Sequence, residues 1–98
     1  MHARTLEGFL RPDAHLDAVN YFRLTIGPAL RQQPGFLNGR LLANTSTNRC
    51  LVITVWDTQA DRQGADANRS LQTLLGHLQQ YCTHPLVPAD YELSAQVS

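Results

Sequence analysis

Any chemistry in this 98-residue chain must come from a small set of side chains. All its strongly basic residues are arginines and none is lysine, which excludes a Schiff-base lysine mechanism. Arg23 is the most informative of them. Read as one helix, the segment after Asp13 puts Arg23 inside the apolar stripe of Leu16, Val19, Ile26 and Leu30, not opposite it. A guanidinium in that position must snorkel to an edge or meet an anion. It is either a pocket cation for a phenolate or carboxylate, or one half of an ion pair with Glu7. His77 falls on the flank of a later helix, beside Ser70, Thr73 and Tyr81. That position suits a general base or an axial haem ligand, and equally a solvated surface histidine. Tyr81 lies four residues on and is placed to hydrogen-bond a ligand from the same side. His15, near the apolar side of the first helix, is the other ionisable candidate. Trp56 ends an apolar strand, either as packing or as a stacking wall for an aromatic ligand.

Other chemistries are excluded by what the sequence lacks. Cys50 and Cys82 form no CxxC and no closely spaced Cys/His cluster, so no metal site is expected and both are read as reduced thiols. There is no nucleophile elbow, phosphate-binding glycine loop or zinc signature. The formal net charge is zero and the arginines are scattered, with no basic stripe to track nucleic acid. No apolar run approaches the roughly 18 residues of a membrane span. Met1–Thr5 lacks the apolar core of a signal peptide, so a cytoplasmic location is expected.

The elements that must position these groups read strand, helix, strand, strand, helix, strand, within a single domain over residues 1–98. Ala3–Leu10 alternates and stops at Pro12, giving a first strand. Asp13 is the expected cap of a helix running to Arg31, with a kink or restart at Gly27-Pro28. Gln33-Pro34-Gly35 turns the chain into a hairpin of Phe36–Ala43 and Cys50–Trp56, joined by the turn residues Asn44–Asn48. Asp57 or Thr58 caps a second helical region, weak over Gln59–Asn68. From Ser70 to Cys82 it is strong, with leucines along one face. Tyr91–Val97 alternates as a last strand, and Tyr21 points away from the first helix's stripe and is expected to be exposed. Cys50 and Cys82 are expected at one end of the domain, separated by a helix–sheet layer about 10 Å thick.

The third strand has a further consequence. Leu51, Ile53 and Val55 point to one face, and Cys50, Val52, Thr54 and Trp56 to the other, and both sets are largely apolar. Two helices cover only one face of a four-stranded antiparallel sheet. A second copy of the chain is the economical cover for the other, so a homodimer is expected, with a heteromeric partner as the alternative.

The βαββαβ order, the turn Gln33-Pro34-Gly35-Phe36, and Val52-Ile53-Thr54-Val55-Trp56-Asp57 before the second helix resemble the antibiotic biosynthesis monooxygenase family over nearly the whole chain. The resemblance implies an α+β ferredoxin-like domain with an antiparallel four-stranded sheet, paired into a dimeric α+β barrel. It implies a cofactor-independent monooxygenase acting on a small aromatic or lipophilic substrate between sheet and helices. On this reading Arg23 and His77 are catalytic, Trp56, Tyr81 and His15 bind substrate, and no cofactor is required. The alternative is a non-catalytic small-molecule-binding or assembly module of the same fold. Haem-degrading members carry a second Trp in the helix after the Trp-containing strand; Gln59–Asn68 has none, which points away from haem breakdown.

Overall fold

The computed structural model describes residues Met1–Ser98 throughout. The chain forms β1 (His2–Phe9), α1 (His15–Tyr21), a π-helical turn (Phe22–Ile26), α2 (Gly27–Arg31), β2 (Phe36–Ala43) and β3 (Arg49–Trp56). Then come α3 (Gln59–Ala67), α4 (Arg69–Gly76), a 3₁₀ turn (His77–Tyr81) and β4 (Val87–Glu92). The sheet order is β2-β3-β1-β4 with every pairing antiparallel, an α+β ferredoxin-like arrangement. No helix is long and apolar enough to cross a membrane.

The first helical segment differs from its expected pattern in an informative way. Its buried line is Ala14, Ala18, Phe22, Ile26 and Leu30, each four residues from the last. On a 3.6-residue helix that spacing drifts by roughly 40° per step, so the line would wind well off the sheet. The π-helical turn takes up an extra residue: the Gly27 N–H donates to the Phe22 carbonyl, five residues back, and the line stays on the core. The expected stripe is thereby rotated, and Leu16 is 67% exposed. The break expected at Gly27-Pro28 takes the form of this register change, with Pro28 in the first turn of α2, where proline is tolerated. Asp13 does not cap α1. Ala14 holds the cap position without a side-chain bond, because the chain enters through a turn in which the Ala14 N–H donates to the Arg11 carbonyl.

The second helical region divides at Asn68, whose extended backbone ends α3 and whose Oδ1 accepts from the Leu71 N–H at the start of α4. Thr58 caps α3 by accepting from the Asp61 N–H at 3.0 Å. Cys82 is not on the helix. It follows the 3₁₀ turn and forms a β-bridge with Leu10, at the sheet end of the molecule. Cys50 and Cys82 are therefore not held apart by the layer spacing: each lies close enough to shift the other's titration, and both are free.

Two further expectations are corrected. The last strand is Val87–Glu92, not Tyr91–Val97. Its pairing with β1 runs out where Glu92 meets His2, leaving one more bond, from the Leu93 N–H to the Met1 carbonyl. Tyr21 is half-buried: its hydroxyl donates to the Leu74 carbonyl at 2.7 Å, and its ring lies 5.8 Å from that of Tyr81. The hairpin turn is as read, with the Asn44 side chain accepting from the Ser46 and Thr47 N–H groups and Asn48 at φ 65°.

The faces of β3 are settled by packing against the helices. Cys50, Val52, Thr54 and Trp56 lie under the helices, where Val52 and Trp56 pack with Ile26, Leu30, Leu71 and Leu78. Leu51, Ile53 and Val55 face the other way, beside Leu42 on β2 and Val87 and Tyr91 on β4, all three substantially exposed.

Candidate functional site

The largest cavity, about 450 Å³, is a groove between the first helical segment and the edge strand β2. Its apolar floor is Val19, Phe22, Leu30, Phe36 and Leu41. Both walls depart from regular geometry: the π-helical turn carries Phe22 and Arg23, and a bulge in β2 falls between Phe36 and Asn38. An inserted residue re-aims its neighbours, and such irregularities recur beside functional sites. Gly39 keeps the floor open, since a Cβ there would meet Phe36 Cζ at 3.3 Å and Leu30 Cδ1 at 3.4 Å.

Arg23 and Arg31 both line the groove, and neither forms an ion pair. The structure therefore excludes the Arg23–Glu7 pair. Glu7 projects from the opposite face of the sheet and is bonded to Arg49 at 2.5 Å. Two unpaired guanidiniums over an apolar floor create a local positive potential suited to a flat, anionic, largely apolar molecule. Arg31 was not singled out from the sequence, although eight residues bring the helix back within about 80° of Arg23.

The other sequence-derived candidates do not converge on this groove. Trp56 is buried beneath the helices; its Nε1–H donates to Thr54 Oγ1 at 3.0 Å, and its ring meets Phe36 edge-on at 5.4 Å. It borders a separate internal void of about 30 Å³. His15 lines a third hollow of about 100 Å³ near Asn44 and Asn48. His77 is exposed where α4 passes into the 3₁₀ turn. Tyr81 packs against Tyr21. The tighter winding of the 3₁₀ turn removes the shared helix face expected for residues 77 and 81.

A second polar assembly has no counterpart in the sequence reading. Arg4 on β1 and Arg62 on α3 converge on Asp66 at 2.5 Å each, and both also bond Asp90 on β4, at 2.6 and 3.1 Å. Arg62 is almost fully buried, and its Nε has no partner. Arg4 could have been suspected, because strand alternation puts it on the helix-facing side with Leu6. Arg62, in a segment of weak periodicity, gave no such signal.

Burial shapes the titration of three groups. Desolvation first, and then the neighbouring Cys50, push the Cys82 thiol up to about 11, with Arg11 opposing them. Cys50 is raised by the same cause, partly opposed by hydrogen bonds from Cys82 and the Gly8 backbone. Tyr21 is raised by desolvation and by Tyr81. No three His, Cys, Asp or Glu side chains are grouped so as to hold a metal ion.

No protein-family model and no curated protein matches the sequence. The fold has many solved counterparts. A monooxygenase from Streptomyces coelicolor, solved with the ligand nanaomycin D, superposes with a TM-score of 0.84 at 14% identity, over 99% of this chain and 90% of that one. SnoaB, a cofactor-independent oxygenase from Streptomyces nogalater, gives 0.76 at 18% identity, covering 98% and 96%. The Mycobacterium tuberculosis protein Rv0793 gives 0.76 at 11% identity, covering 99% and 98%. At such identities the likeness is one of architecture, and on it the chain has the α+β ferredoxin-like fold of the antibiotic biosynthesis monooxygenases.

Proposed function

We propose that this protein is a cofactor-independent monooxygenase that holds a small anionic aromatic or lipophilic substrate in the groove between the first helical segment and β2. The observation that carries the reading is Arg23: an unpaired guanidinium on the wall of the largest cavity, above an apolar floor. A cation beside a bound phenol favours its ionised form. The resulting electron-rich anion is the species able to react with dioxygen without help from a metal or flavin. Phe22, Phe36 and Leu41 would shield the ring system and align it across the groove. Two copies packed through the open face of β3 complete the assembly as a homodimer. Neighbouring free thiols fit a reducing, cytoplasmic setting.

A second reading is favoured by a specific observation. His77, Tyr81 and His15 lie away from the groove, so no imidazole or phenol stands beside Arg23 to move a proton. A binding module of the same fold, without turnover, needs only the groove. Oxygen consumption with a bicyclic phenol such as 1,4-dihydroxynaphthalene separates the two. Uptake above the buffer rate, reduced at least tenfold in Arg23→Met, supports the oxygenase. Binding without uptake supports the module, and failure to bind removes both.

A further inference from the structure

The groove and the internal void share one lining residue, Leu30. It is 1% exposed, on α2, with Gly39 beneath it and the Phe36–Trp56 pair alongside. On the far side the void is bordered by Trp56, Thr54, Gln72 and the Arg4–Asp66 pair. A channel through Leu30 would thus run from an unpaired cation, across apolar surface, to an aromatic ring and hydrogen-bonding groups. We infer that Leu30 is the specificity-determining septum of the site, setting how far an aromatic anion anchored by Arg23 penetrates toward Trp56. With leucine in place, a ligand lies in the groove with its far end in solvent, so added rings gain little burial. Removing side-chain volume at position 30 joins the two spaces and lets a third ring pass beneath the helices, where it gains apolar burial beside Trp56. The ligand class that follows is a linear fused-ring anion: the native chain gains little from a third ring, and the chain with its septum cut back prefers three rings to two.

This inference rests on the proposed groove, and the test distinguishes its failure from that of the groove itself. Fluorescence titration compares 2-naphthoate with anthracene-2-carboxylate, which share the charge and differ by one ring. In the native chain the two affinities should agree within about threefold. Leu30→Ala should shift the ratio at least tenfold toward the three-ring acid. Leu30→Val, which keeps more of the packing and guards against an unfolded alanine variant, should shift it about threefold the same way. Arg23→Met should weaken both acids equally and leave the ratio alone. An unchanged ratio in a folded Leu30 variant overturns the septum while leaving the groove intact. If neither acid binds the native chain, the groove reading falls and the septum falls with it.

Discussion

Asp66 and Asp90 form ion pairs with the same two arginines, yet their removal should have unequal consequences. The Asp66 side chain is 32% exposed and that of Asp90 is 48%, whereas the Arg62 side chain retains 9%. Asp66→Ala leaves Arg62 buried with only its 3.1 Å contact to Asp90, and with Arg4 as a nearby like charge. Breaking a buried pair costs about 3–5 kcal/mol, and the partial exposure of Asp66 brings this to about 2–3 kcal/mol. Asp90→Ala leaves both arginines on Asp66, so its cost should stay below about 1 kcal/mol, as for an exposed pair. With 98 residues, the unfolding entropy is about 0.2 kcal/mol/K, so the first change lowers Tm by about 10–15 °C and the second by under about 5 °C. Replacing the buried pair together, as Arg62→Met with Asp66→Leu, should recover most of the loss, since no charge is stranded and Arg4 keeps Asp90. Urea unfolding followed by the emission of Trp56, the only tryptophan, reads all three variants. Equal costs for Asp66 and Asp90, or a loss under about 0.5 kcal/mol at Asp66, would refute the reasoning.

Other outcomes follow from the same structure. Arg23→Met should alter stability by no more than about 0.5 kcal/mol, because no ion pair is lost, while weakening binding of an aromatic carboxylate; a large destabilisation in urea would contradict the unpaired assignment. Ile53→Asp, on the open face, should dissociate the expected homodimer in sedimentation without unfolding it, whereas Val52→Asp, on the helix face, should disrupt the core of each copy. The two thiols have folded pKa values raised above the usual 9, so their contribution to stability is fully present below pH 9 and is lost as pH rises through about 11. A Cys50→Ala, Cys82→Ala double variant should lose that alkaline limb, measured as denaturation midpoint against pH. Thiol titration of the denatured, unreduced protein should find two free groups.

The order of elements, the hairpin over Phe36–Trp56 and the two apolar faces of β3 could be read from the sequence because they depend on local periodicity and turn chemistry. Alternation assigns a side chain to a face without reference to the rest of the chain, and Asn44 makes its turn from its own neighbours. The fold class followed from these. The phase of the first helix did not, because a four-residue spacing is ambiguous until a π-helical turn absorbs its drift, and that turn is decided by packing against the sheet. What Arg23 does was equally open. From the stripe alone it was either a pocket cation or a partner of Glu7; only the register of β1 with β3, which sends Glu7 to the opposite face, removed the second option. The meeting of Arg4, Arg62, Asp66 and Asp90, and of Cys50 with Cys82, likewise joins residues far apart in sequence. Each depends on how separate elements dock, and no spacing along the chain records that.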